Sequence, residues 1–135
     1  MSDMSAQVRR ALDVAVEAIG GSPREGQIEM AEAVANALTN RHHLMVQAGT
    51  GTGKSLAYLI PGIVHGRKVL VATATIALQR QLVDRDLPAV VPALEKELGR
   101  DITYAIYKGV GNYVLVNRIG DVAAKLFFKG GNNCR

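Results

Sequence analysis

The chain has 135 residues, 48% of them hydrophobic, and only four prolines; this allows one domain at most and excludes a disordered polypeptide. No apolar run reaches the length of a membrane span, and Met1-Ser-Asp-Met-Ser-Ala-Gln-Val-Arg-Arg10 has no apolar core behind a basic stretch, so neither a membrane segment nor a signal peptide is expected. The net charge of +4 lies wholly in residues 68–135, which hold ten basic against six acidic side chains; such a surplus suits a polyanion, or is an ordinary solvated surface.

Val8, Leu12, Ala15 and Ile19 recur at helical spacing, and Gly20-Gly21 closes that first helix, giving an N-terminal helical segment over 1–21. Ser22-Pro23-Arg24-Glu25 reads as the start of a second helix, with Ser22 as cap, Pro23 at the first helical position and Glu25 completing a capping box. That helix is predicted to bury Ile28, Ala31, Ala35 and Leu38 and to stop around Asn40. Within it, the Gln27 amide offers a donor and an acceptor that match the N7 and N6 edge of adenine; the alternative is a surface glutamine on an amphipathic helix.

His43-Leu-Met-Val-Gln47 reads as a buried strand, followed by Ala48-Gly49-Thr50-Gly51-Thr52-Gly53-Lys54-Ser55 and then by a helix opening at Lys54. Strand, glycine-rich loop and helix N-terminus form the arrangement that turns backbone N–H groups toward a phosphate. In this pattern Lys54 neutralises the β and γ phosphates of ATP and the Ser55 hydroxyl holds Mg²⁺, which makes the two the candidate catalytic residues. Pro61 is expected to kink or end the following helix. The neighbouring His42 and His43 point to opposite faces of a strand entrance and are not expected to bind a metal.

A second buried strand is predicted over 68–72. Thr73 and Thr75 follow it at the start of a helix through Ile76, Leu78, Leu82 and Val83, where two hydroxyls can hold a nucleic-acid backbone phosphate or, alternatively, act as no more than a helix cap. Pro88 and Pro92 should break the path before residues 93–99. A third strand is read over 102–106, a glycine-bearing loop at Lys108-Gly-Val-Gly-Asn-Tyr113, and a last helix over 121–128 before a loose tail. Lys108 and Arg118 belong to the basic surplus and are candidate backbone contacts. Strands alternating with helices imply an α/β fold, a parallel sheet with helices on both faces. The lone Cys134 excludes internal disulfides and fits a reducing cytoplasm.

Arg24-x-x-Gln27, Gln47-Ala-Gly-Thr-Gly-Thr-Gly-Lys-Ser55, Thr73-Ala-Thr-Ile-Ala-Leu-Gln-Arg-Gln-Leu82 and Lys108-Gly-Val-Gly-Asn-Tyr113, in this order, resemble the first motor domain of superfamily-two DNA helicases. The likeness is to the DinG type, in the iron–sulfur branch that also holds XPD, and it spans about residues 20–119. It implies a partial RecA-like ATP-binding domain over 22–119, with 120–135 as a C-terminal helix and tail that do not match the family. It further implies that Arg24 and Gln27 serve adenine recognition, that Ala48 to Ser55 hold ATP and Mg²⁺, and that Thr73, Thr75 and Gln79 face single-stranded DNA.

The chain departs from that pattern in two places. Leu115 stands where cluster-bearing relatives place the first of four cysteine ligands, so no iron–sulfur cluster is expected. No Asp-Glu-x-His pair follows the loop, and a second motor domain cannot fit into 135 residues. The expectation is therefore the ATP-binding N-terminal part of a DinG-type ATP-dependent DNA helicase, inactive in isolation. The alternatives are a non-enzymatic ATP- and nucleic-acid-binding fragment and a small P-loop phosphotransferase, which would leave residues 73–81 without a role.

Overall fold

The computed structural model describes residues 3–49 and 53–108. Among these, the helical periods of the sequence become α1 (Asp3–Ala18), α2 (Glu25–Asn40), α3 (Lys54–His65), α4 (Ile76–Arg80) and α5 (Leu87–Leu98), with a π-helical stretch at Gln81–Asp86 joining the last two. Contacts divide the chain between Tyr104 and Ala105, and the helices of the described residues lie in the first unit.

The core forms where α1 packs on α2, α3 and α5 and α2 packs on α3. Val8, Leu12 and Ala15 of α1, Ala31 and Ala35 of α2, Leu56 and Ile60 of α3, and Val90 and Leu94 of α5 make one buried cluster. Each large aliphatic side chain buried this way contributes about 1.5–3 kcal/mol. The small Ala11, Ala15, Ala31 and Ala35 let the helices approach closely. Ile19 and Leu38, expected inside, lie at helix ends and stay partly exposed, at 47% and 37%.

An Arg9–Glu32 ion pair ties α1 to α2, and Ser5 Oγ also donates to Glu32 Oε1 at 3.3 Å. The Arg9 hydrogen bond and charge hold the Glu32 carboxyl below the usual carboxylate range.

The expected parallel sheet with helices on both faces is not formed. Among the described residues no segment is a β-strand: 43–47, 68–72 and 102–106 are irregular and make no ladder. A parallel strand needs hydrogen-bonding neighbours and helices covering its faces. Here the helices bury their apolar faces against one another, leaving Met45 97% and Leu70 88% exposed. A short apolar run looks the same in sequence whether or not a partner strand is at hand.

The helix boundaries follow local rules with three corrections. Ser22 and Pro23 stay outside α2, whose N-cap is Arg24 in an extended conformation with no side-chain cap bond. Pro61 neither ends nor breaks α3, which runs on to His65 and a left-handed Gly66. Pro88 and Pro92 likewise sit within α5 rather than before it. The π-helical turn, in which the Leu87 N–H reaches back to Leu82 O, widens the backbone just ahead of Pro88 and relieves the clash a proline ring makes with the preceding turn.

Candidate nucleotide and nucleic-acid site

Gly53 carries φ +71° and ψ 27° immediately before α3, a left-handed conformation that glycine adopts without the penalty of a Cβ. This turn swings the chain from the loop into the helix, so that the first N–H groups of α3, which have no intrahelical acceptor, sit at the loop end of the helix. Lys54, the first residue of α3, curls its side chain back over the turn. Its Nζ donates to Ala48 O at 2.8 Å and to Gly49 O at 2.9 Å. Hydrogen bonds from a charged donor are worth about 1.5–3 kcal/mol each, enough to bind the start of the loop to the start of the helix. Ser55 follows, half-buried in the first helical turn. Thr50, Gly51 and Thr52 lie outside the described residues.

The second wall of the site comes from α2. Gln27 is a buried polar side chain, 5% exposed. Its Nε2 donates to Gly53 O at 3.0 Å, across 26 positions of sequence. The same carbonyl accepts the Ala57 N–H at 3.3 Å. Arg24 is exposed at the head of α2, and its carbonyl accepts the N–H groups of Gln27 at 2.9 Å and Ile28 at 3.0 Å. The fold thus brings Gln27 to Gly53 and Lys54 to Ala48 and Gly49. The sequence carries no local signal for the first contact, because it joins two elements through tertiary packing.

Thr75 is the N-cap of α4, its Oγ1 accepting from Leu78 N at 3.3 Å. Thr73 Oγ1 donates to Thr75 O at 3.3 Å. The cap role foreseen as an alternative for these threonines is therefore occupied at Thr75. Gln79 is half-buried on α4, and its N–H bonds to Thr75 O at 3.2 Å. In the π-helical stretch, the buried Asp86 accepts from Gln81 Nε2 and Arg85 Nε, both at 3.0 Å. Lys108 is half-buried and falls in the second unit; Arg118, Leu115 and Cys134 lie outside the described residues.

A residue that the sequence did not single out braces the far end of α3. Arg100 donates to Ile63 O, and to Val64 O at 3.1 Å. Its guanidinium adds a charged donor to carbonyls of the last helical turn, where Ile63 O also accepts the Gly66 N–H at 3.0 Å.

Chemically, the α3 end offers a positive charge seated on two carbonyls, a hydroxyl in the first turn and helix N–H groups. Such a donor set could hold anionic oxygens: Lys54 could exchange its carbonyl partners for them, and Ser55 could complete the shell of a phosphate-bound Mg²⁺. Among the described residues no group of three or more His, Cys, Asp or Glu is placed to hold a metal, and no helix there is long and apolar enough to cross a membrane.

Residues 27–107 match the DEAD/DEAH box helicase family. The chain is 54% identical over 120 residues to the ATP-dependent helicase DinG of Mycobacterium tuberculosis, covering 86% of this chain and 18% of that protein. It is 43% identical over 106 residues to the ATP-dependent DNA helicase YoaA of Haemophilus influenzae, covering 78% of this chain and 16% of that one. Against the 3'-5' exonuclease DinG of Bacillus subtilis the identity is 34% over 107 residues, 76% of this chain and 11% of the other. No solved structure matches. The chain thus spans less than a fifth of the length of these relatives.

Proposed function

The chain belongs to the DEAD/DEAH box helicase family, and from that premise we propose that it is the ATP-binding part of a DinG-type ATP-dependent DNA helicase. The observation that carries this reading is the Lys54 ammonium folded onto the Ala48 and Gly49 carbonyls at the head of α3. A basic side chain held there by neutral oxygens gains when anionic oxygens replace them. In this reading Lys54 meets the terminal phosphates, Ser55 completes the Mg²⁺ shell, and Gln27 with Arg24 takes the adenine edge. When bound, Mg-ATP supplies the phosphoryl group whose hydrolysis drives the motor.

Thr73, Thr75 and Gln79 take the backbone of single-stranded DNA; Lys108 and Arg118, which belong to the other unit, are further candidate backbone contacts by their charge. Phosphate contacts of this kind track a strand without reading its sequence. Hydrolysis also needs a positioned water, an acidic residue on Mg²⁺ and an arginine finger, the last worth about 10³–10⁵ in rate. The 135-residue polypeptide studied alone is therefore expected to bind Mg-ATP and to turn it over at background rates.

Isothermal titration calorimetry tests this. Mg-ATP should bind the parent chain, and Lys54→Ala should weaken it by at least about tenfold, the loss of one charge-assisted contact. Equal affinities would remove the assignment.

A further inference from the structure

We infer that Asp86 is a positioning residue for the nucleic-acid contacts: bridged to Gln81 across the π-helical turn, it fixes how α4, with Thr75 and Gln79, is rotated about the axis of α5. This rests on the reading of Thr73, Thr75 and Gln79 as contacts to single-stranded DNA. Asp86 is 5% exposed, the only buried carboxylate among the described residues. It accepts from Gln81 Nε2 and Arg85 Nε, both at 3.0 Å. A carboxylate is costly to bury unless it is hydrogen-bonded, and both donors here come from the joint between α4 and α5.

The spacing of the pair identifies the register it holds. In an α-helix each residue turns by about 100°, so positions five apart stand about 140° from one another and their side chains do not meet. A π turn, closed by bonds between residues five apart, is wider and brings such positions to one side. The Leu87 N–H reaches Leu82 O in that pattern, and Gln81 Nε2 reaches Asp86 over the same five-residue step. On one side of the turn α5 is fixed, since Val90 and Leu94 are buried in the core. On the other side no residue of α4 is buried, so α4 has no apolar anchor of its own. Its rotation, and with it the direction of Gln79, therefore follows the register of the turn. One residue fewer would turn α4 by about 100° relative to α5.

Fluorescence anisotropy with a labelled oligothymidylate reads the contact. Asp86→Ala removes the bridge and should weaken binding about fivefold, the worth of one net hydrogen bond. Asp86→Asn, which keeps an acceptor for Gln81, should recover part of the loss. Both changes remove a negative charge, which on its own would strengthen binding to a polyanion, so the expected sign is opposite to the electrostatic one. Deletion of Asp84 together with Pro88→Ala tests the register directly: it leaves Gln81 and Asp86 four apart and frees an α-helical turn from the proline ring. That variant should bind DNA at least about fivefold more weakly than Asp84→Ala with Pro88→Ala, which carries the same charge. Mg-ATP affinity should stay at the parent value in every variant, which a general loss of the fold would not allow.

A joint loss of DNA and Mg-ATP binding marks an unfolded variant, and the parent then gives the readout. Saturating oligothymidylate should slow hydrogen exchange at the Leu87 N–H, because DNA that binds the π register stabilises it. DNA binding that is unchanged in either Asp86→Ala or the deletion, or Leu87 exchange that DNA leaves unaltered, overturns the positioning role and leaves the DNA reading standing. A parent chain that binds no oligothymidylate overturns both.

Discussion

Arg100 reaches back to the carbonyl of Val64, with Nη2 3.1 Å from the oxygen, and so closes the C-terminal end of the helix whose other end carries Lys54. The guanidinium also lies where a Cβ on Gly66 would stand, 2.5 Å from Nη1. A positive group bonded to the last carbonyls complements the negative end of the helix dipole. Arg100→Ala should therefore destabilise the fold by about 1–2 kcal/mol. Arg100→Lys should recover only part of this, because an ammonium cannot reproduce the planar fork. Urea unfolding of the three proteins checks it, and equal midpoints for the parent chain and Arg100→Ala would refute the brace.

Arg41 ends α2 with φ +55°, a left-handed conformation among the described residues shared otherwise only by glycines. An L-residue with a Cβ is strained there by about 1–2 kcal/mol, which glycine avoids at some cost in unfolded-state entropy. Arg41→Gly should raise stability by about 0.5–1 kcal/mol. A lower melting temperature for that variant would mean that the Arg41 side chain makes a compensating contribution.

Glu32 is held below the usual carboxylate range, first by the hydrogen bond from Arg9, then by the Arg9 charge and the Ser5 hydroxyl, against burial, which raises it. A carboxyl whose folded value is depressed contributes stability that is present above its unfolded value and lost as pH falls through the folded one. The melting-temperature gap between the parent chain and Glu32→Gln should accordingly be widest near neutrality and close in acid. It should also shrink in high salt, since the pair is partly exposed to solvent. A gap independent of pH would show that the ion pair contributes nothing.

Single-stranded DNA, if gripped by Thr73, Thr75, Gln79, Lys108 and Arg118, meets only two charged side chains among them. Two neutralised phosphates give a slope of log affinity against log salt of about −1.4 for a single strand. Fluorescence anisotropy with labelled oligonucleotides of different sequence measures this. A much steeper slope, or strong preference for one sequence, would place the DNA on other residues. Because the Thr75 hydroxyl already caps α4, Thr75→Ala should lose about 0.5–2 kcal/mol of helix stability as well as any DNA contact; Thr75→Asp, which keeps a capping oxygen but repels a phosphate, separates the two.

The residues of the loop, and the helices around it, were readable in the chain itself. Local chemistry decides them: Lys54 and Ser55 follow a glycine that takes a left-handed turn, and Val8, Leu12 and Ala15 share one helical face whatever surrounds them. Pro88 and Pro92 enter a helix instead of breaking the path, because the effect of a proline depends on the turn ahead of it, and a π-helical register before Pro88 is not written in any short motif.

The missing sheet among the described residues has a different physical cause. Residues 43–47 and 68–72 have strand composition, but a strand exists only through a neighbour, and the tertiary packing gives them none among the described residues. The contact of Gln27 with Gly53 and that of Arg100 with Val64 were equally hidden, since they span 26 and 36 positions. The sequence by itself determined that a glycine-rich turn leads into the helix that begins at Lys54, because that is a matter of residue type and spacing along one turn of backbone. Only the tertiary structure decided which distant groups hold that turn in place, because burial and hydrogen-bond partners are properties of the packed chain rather than of any segment of it.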